Sequence, residues 1–246
     1  MSLEYQRAEE SEEPARESES KVVFRVPFPW YSVAIAACYA AVFVIQMSSG
    51  LEASIRLAGE DKQAVLAGRE WWRVLTGTCL HGGLLHFSLN TYALYSFGRD
   101  VEFLTNRAHA AIVFLVSTIA GALLSLAVQP EGISVGASGG IIGLVGYLAV
   151  YSFRRRAFIN PAFRRDLLFN VVFILLYGFL LAQAVDNWAH IGGLITGAVY
   201  AAAQVPSDVY EDPREAGSLA RTAGILSIAI YAAICVFASL LILRLV

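Results

Sequence analysis

Seven stretches of this chain are apolar over roughly the thickness of a bilayer, and no other feature limits its fold as strongly. They cover 29–49, 79–98, 108–128, 136–153, 167–185, 189–205 and 220–243. A helix needs about 20 apolar residues to cross the hydrocarbon core. Backbone groups inside the core must be satisfied within the protein, which favours helices. The pattern predicts an all-α polytopic membrane protein. Composition agrees, because 15% of residues are charged against about 25% in ordinary soluble domains. The fourth and sixth runs are short and glycine-rich, and runs of that length also suit buried helices.

Residues 1–27 differ from the rest. They are rich in Glu, Ser and Arg and read as an acidic, disordered cytoplasmic tail. The segment lacks the basic start and apolar centre of a signal peptide, and its acidity argues against a mitochondrial leader. Residues 28–206 form the expected six-helix core, and 207–246 a cytoplasmic linker with a seventh span. Cys38, Cys79 and Cys235 lie in or beside apolar runs, so no disulfide framework is implied. The net charge of −2 gives no sign of a nucleic-acid partner.

Lys and Arg placement sets the expected orientation. With the N-terminus inside, 13 of the 18 basic residues fall on cytoplasmic segments, five of them in the short Arg154–Arg165 loop. The C-terminus is then outside, and the second, fourth and sixth runs all enter from the outer face. The expected location is the cell (plasma) membrane.

Four polar residues gather at one expected depth. His86 and Asn90 fall about two and three turns into the second run, Ser138 near the start of the fourth, and His190 near the start of the sixth. Polar groups inside a bilayer are costly and tend to be functional. A serine hydroxyl beside a histidine base is the minimal machinery of nucleophilic attack. Taken alone, Ser138 reads first as a small packing residue. Gly136, Gly139, Gly140 and Gly143 flank it, however, and Gly193 and Gly197 repeat the GxxxG spacing on the sixth run. Close approach of these two helices would carry Ser138 to His190.

His86 and Asn90 share a helical face and suit a developing oxyanion, or else a buried pair joining helices. His81 either orients them or lies at an interface, and His109 reads as an interhelical partner at the inner side. Asp186, one turn before His190, invites a triad, but capping of the helix is the expected role. Trp71 and Trp72 suit the membrane interface. The outer loop from Ser48 to Thr78 is partly apolar and is expected on or in the outer leaflet.

Together, Trp72-Arg73, His86-x3-Asn90, Gly136-Ala137-Ser138-Gly139 and Ala189-His190-x2-Gly193-x3-Gly197 resemble the rhomboid family of intramembrane serine proteases over roughly residues 29–205. The resemblance implies a six-helix core that cleaves transmembrane segments of other proteins near their outer ends. It implies Ser138 as nucleophile, His190 as general base, and an oxyanion hole of His86, Asn90 and the Ser138 N–H. It implies that the fifth span, or the loop near Gln183, moves to admit substrate, and that the seventh span makes a six-plus-one layout. Ile142 stands where some members place an aromatic against the histidine. The expected partners are transmembrane substrates and the lipid bilayer, with no cofactor and no metal.

Other chemistries fit less well. A zinc protease motif needs His-Glu-x-x-His, and Gly82-Gly83 follow His81. An aspartyl enzyme needs two facing intramembrane aspartates, and every Asp here falls in a loop or at a helix end. A catalytically silent, client-binding relative and a histidine-relay transporter are the non-protease readings, the latter without inverted repeats to support it.

Overall fold

The computed structural model describes residues 27–180, 185–208 and 210–246. Most of the acidic tail and Gln183 lie outside the described residues. The elements, in chain order, are α1 (Trp30–Ser49), α2 (Leu51–Ala58), β1 (Glu60–Asp61), α3 (Lys62–Leu66), α4 (Arg73–Thr76), a 3₁₀ turn (Gly77–Cys79), α5 (Leu84–Leu104) and α6 (Arg107–Val128). They continue with β2 (Ile133–Ser134), α7 (Ser138–Arg154), α8 (Pro161–Leu180), α9 (Asn187–Gln204) and α10 (Ser218–Ile242).

A long helix therefore coincides with each of the seven apolar runs. Three of them, α1, α6 and α10, are long and apolar enough to cross a membrane on length and composition alone. The others carry glycines and polar side chains that helix interfaces and sites require.

One boundary differs from the sequence expectation. The second apolar run begins at Cys79, whereas α5 starts at Leu84. Gly83 breaks the path at φ 139°, in a region that side chains avoid. His81 thus precedes the helix, and His86 occupies its first turn rather than its second. Hydropathy counts straight across the Gly82-Gly83 pair, but the backbone cannot.

The core of the bundle is a three-helix contact of α6, α7 and α9. A Cβ on Gly193 would strike the Gly139 carbonyl, and one on Gly197 the Gly143 carbonyl. The two GxxxG pairs are therefore in register, with α7 and α9 parallel. On the other side of α7, Gly140 faces Thr118 and Gly143 faces Ser117, both of α6. Gly121 of α6 closes the triangle, since a Cβ there would sit 2.5 Å from the Ala189 carbonyl. Bilayer lipid gives helices little hydrophobic reason to associate, so close backbone packing matters more than in water.

Around this triangle, α1 and α10 pack on α6, while α5 packs on α1 and α7. At one end, Glu102 accepts the Ser32 N–H at 2.7 Å and its hydroxyl at 2.6 Å, tying α5 to the start of α1. His109 Nδ1 lies 2.9 Å from the Tyr200 hydroxyl, joining α6 to α9. At the other end, Tyr231 of α10 donates to the Thr78 carbonyl at 3.3 Å, and the free thiols of Cys235 and Cys79 meet at 3.3 Å.

The connection from α1 to α5, expected from charge placement to be the outer loop, folds onto that same end. Asp61 accepts the Gln63 and Ala64 N–H groups and starts α3, as a capping residue does. The Arg73 guanidinium donates to the Arg56 and Gly59 carbonyls at 3.1 Å each and pairs with Glu70. Glu60 and Asp61 pair antiparallel with Ser134 and Ile133, so the loop is clipped to the strand that leads into α7. Trp71 and Trp72 are exposed.

Gly197→Val should lower the unfolding temperature in detergent, because overpacking typically costs about 1–3 kcal/mol. Gly217→Ala, at the N-cap of α10 with nothing within 4 Å of the added methyl, should cost no more than the cap preference, about 1 kcal/mol or less. Equal effects of the two substitutions on thermal unfolding would contradict the close-approach account.

Candidate active site

The parallel pairing of α7 and α9 brings their N-termini to one end of the bundle. Ser138 opens α7, and His190 lies in the first turn of α9. His190 Nε2 is 2.9 Å from the Ser138 hydroxyl oxygen, within reach for proton transfer. His190 is buried, and its Nδ1 has no hydrogen-bond partner among the described residues.

His86 completes a third side. The Gly82 N–H donates to His86 Nδ1 at 3.2 Å. A neutral imidazole that accepts at one nitrogen carries its proton on the other, so Nε2 is a donor. That nitrogen faces Gly136, where an added Cβ would stand 3.0 Å from it and 3.8 Å from the Ser138 hydroxyl. Gly136 also has φ 131°. Both the close approach of the His86 ring and the backbone conformation therefore require glycine here. The N–H groups of Ser138 and Gly139, the first two of α7, lack intrahelical acceptors by position, whereas those of Gly140 and Ile141 bond to the Ala137 carbonyl at 3.1 and 3.2 Å.

Asn90 is buried one turn after His86, and its amide donates to the His86 carbonyl at 2.9 Å. One amide N–H remains, and the side-chain oxygen has no partner among the described residues. His81 is fully buried against Tyr39, Phe43, Phe87 and His86. Its backbone is bracketed by Gln46 of α1, which accepts the His81 N–H at 3.0 Å and donates to its carbonyl at 3.2 Å. Gly139, Gly143, Gly193 and Gly197 lie at the α7–α9 contact, and Ile142 is buried on α7.

Asp186 caps α9. Its Oδ1 accepts the Ala189 N–H at 2.9 Å, and its Oδ2 accepts the Ser125 and Ser134 hydroxyls at 2.5 Å each. With these partners the carboxylate does not orient His190 by a direct bond. Burial pushes the Asp186 carboxyl up, but the two serines, the Ala189 N–H and Lys62 outweigh it and hold the group below the usual range.

Sequence reasoning missed the acidic and basic members of this region. Glu60 is buried, and its Oε1 has no partner among the described residues. With Ser134, Gly136, Ser138 and Asp186 it lines a cavity of about 30 Å³, room for a water or a small side chain. Burial, then the nearby Asp186 carboxylate, pushes the Glu60 carboxyl up to about 8, against the pull of Lys62. Charged residues inside an otherwise apolar outer loop were the available signal. A larger cleft of about 470 Å³, lined by Tyr210, Glu211 and Asp212 among others, lies by Gln204, at the far end of α9 from His190. Among the described residues, no group of three His, Cys, Asp or Glu side chains could hold a metal ion.

Glu60 makes stability depend on pH. Its folded value lies above the ordinary 4.5, so the native state binds more protons than the unfolded chain between the two values. Stability contributed by the protonated form is complete below pH 4.5 and falls as pH rises towards 8. Thermal unfolding at pH 5 and pH 9 should show a loss in the wild type that Glu60→Gln reduces. An identical drop in both proteins would remove Glu60 as its source.

Comparison with known proteins gives these residues a lineage. A family model described as the Rhomboid domain matches residues 68–207. The chain is 32% identical over 163 residues to rhomboid protease GluP of Bacillus subtilis (strain 168), covering 65% of this chain and 32% of GluP. It is 33% identical over 163 residues to RHOMBOID-like protein 6, mitochondrial, of Arabidopsis thaliana, covering 63% and 50%. Likeness to rhomboid-like protease 3 of Toxoplasma gondii is 26% over 171 residues, covering 68% and 65%. The chain thus spans half or less of the length of the first two relatives. The family match covers more than half of this chain, and the protein belongs to the rhomboid family of intramembrane proteases.

Proposed function

We propose that this protein is a serine endopeptidase that cuts transmembrane segments of other membrane proteins, using Ser138 as nucleophile and His190 as general base. The observation that carries this reading is the 2.9 Å contact between the Ser138 hydroxyl and His190 Nε2. His190 takes the hydroxyl proton as Ser138 attacks a peptide carbonyl. The oxyanion is received by the Ser138 N–H, His86 Nε2 and the remaining N–H of Asn90, donors fixed before the charge develops. The leaving amine takes the proton from His190, and water then hydrolyses the acyl-enzyme.

The six helices over 28–206 form the catalytic core, and α10 within 207–246 adds the seventh span. Residues 1–27 form the cytoplasmic tail. The five arginines of the Arg154–Arg165 loop support a cytoplasmic α7–α8 connection; in this reading the Ser138 end faces outward and the substrate is cut near its outer end. The membrane is the cell membrane. Substrate enters beside α8, which presents Phe169, Val172, Phe173 and Leu176 to its surroundings and packs less extensively than α6, α7 and α9.

Fluorophosphonate labelling of the purified protein tests the reading. Label should appear on the wild type and vanish in Ser138→Ala and His190→Ala variants that remain folded. His86→Ala and Asn90→Ala should slow cleavage by about 10²–10³ without unfolding the protein. A folded wild type that neither labels nor cleaves would favour a client-binding, catalytically silent role.

A further inference from the structure

One partly buried carboxylate, its side chain 17% exposed, stands behind both halves of the Ser138–His190 pair. Asp186 precedes His190 by one turn, caps its helix through the Ala189 N–H at 2.9 Å, and accepts the His190 N–H on its own carbonyl at 3.2 Å. Its other carboxylate oxygen accepts the hydroxyl of Ser134, at 2.5 Å. Ser134 lies on β2, four residues before Ser138, as Asp186 lies four before His190. The same oxygen accepts the Ser125 hydroxyl of α6 and stands 3.7 Å from Lys62 Nζ. Lys62 donates to Ser125 at 2.7 Å with its side chain 2% exposed, so Ser125 relays between ammonium and carboxylate.

A helix cap does not need this much. Asn or Ser would serve at that position, and a buried ion pair is a poor route to stability because both ions lose their water. What the arrangement supplies is geometry: four separate segments meet at one group, and two of them end in the reacting side chains.

We propose that Asp186, held in place by Lys62, Ser125 and Ser134, is the positioning residue that sets His190 against Ser138. This rests on the Ser–His reading above. Asp186 acts through the backbone of α9 and through β2, and it does not touch the substrate.

The test uses the full chain in detergent or liposomes. Asp186→Asn removes the charge and keeps an oxygen for the cap. Lys62→Met with Asp186→Asn removes both charges and leaves no orphaned ion. Each is assayed well below its own unfolding temperature, where a role confined to stability would leave turnover intact. A displacement of the reacting groups by about 1 Å costs up to about 10²-fold. The expected result is therefore a fall of about 10- to 100-fold in kcat with KM within twofold. The rate of fluorophosphonate labelling at Ser138 should fall in proportion. Ser134→Ala keeps the ion pair, should slow labelling by a smaller factor, and carries the test if the Asp186 variants do not fold.

Labelling and turnover within twofold of wild type in the folded variants would overturn the positioning role, as would a loss confined to KM. A wild type that does not label would instead overturn the Ser–His reading on which the role rests.

Discussion

Backbone contact between α7 and α9 is the constraint on which the rest of this structure depends. Glycines at 139, 143, 193 and 197 let the two helices meet main chain to main chain. At such contacts the separation is set by carbonyls and Cα atoms, which have no rotamers to adjust. The parallel alignment then brings the first turns of both helices together. Ser138 and His190 meet at 2.9 Å because of where their helices begin. Side-chain packing follows from that register and does not set it. The third helix, α6, fixes the pair from outside, since Gly121 approaches the Ala189 carbonyl and Ser117 fills the space beside Gly143.

Gathering helix starts at one end has a cost. Each start presents unpaired N–H groups, and each functional side chain adds polar atoms that an apolar surrounding penalises. The outer loop meets much of this demand. Arg73 gathers the Arg56 and Gly59 carbonyls, β1 pairs with β2, and Lys62 reaches Ser125 and Asp186. Gln46 satisfies both backbone groups of His81. The loop is thus an integral part of the polar end of the bundle. Among the buried polar atoms of the described residues that have no partner, Glu60 Oε1 and His190 Nδ1 lie beside Ser138 and its partners, and the Asn90 oxygen and both His81 ring nitrogens lie beside His86.

The sequence made the helical frame legible because apolar runs and glycine spacing are local signals. GxxxG on two runs pointed to a close approach of their helices, while the pairing of 139 with 193 and 143 with 197 is visible only in the structure; His86 and Asn90 lie four apart within α5. The start of α5 was misplaced, since hydropathy does not register the backbone break at Gly83. The Glu60–Lys62–Ser125–Ser134–Asp186 cluster was illegible for a different reason. Its members come from separate parts of the chain, and each is ordinary alone: a charged loop residue, a helix serine, a strand serine, a cap. Only tertiary closure makes them one group.

That cluster bears on how the proposed Ser138–His190 dyad would work where many serine hydrolases use three residues. In a triad, the third residue bonds the imidazole and holds its orientation. Here the nearest carboxylate spends its oxygens on Ala189, Ser125 and Ser134, and His190 Nδ1 is left without a partner among the described residues. Orientation of the ring must then come from the position of α9 itself. The glycine contact fixes the helix axis sideways, and the Asp186 cap fixes its first turn along the axis and in rotation. A helix held at both points restricts the imidazole on its first turn to the rotamers that clear α6 and α7. In the proposed dyad the backbone would take over the work of the third side chain, and a loss of either anchor would act on the reaction through the distance between two atoms.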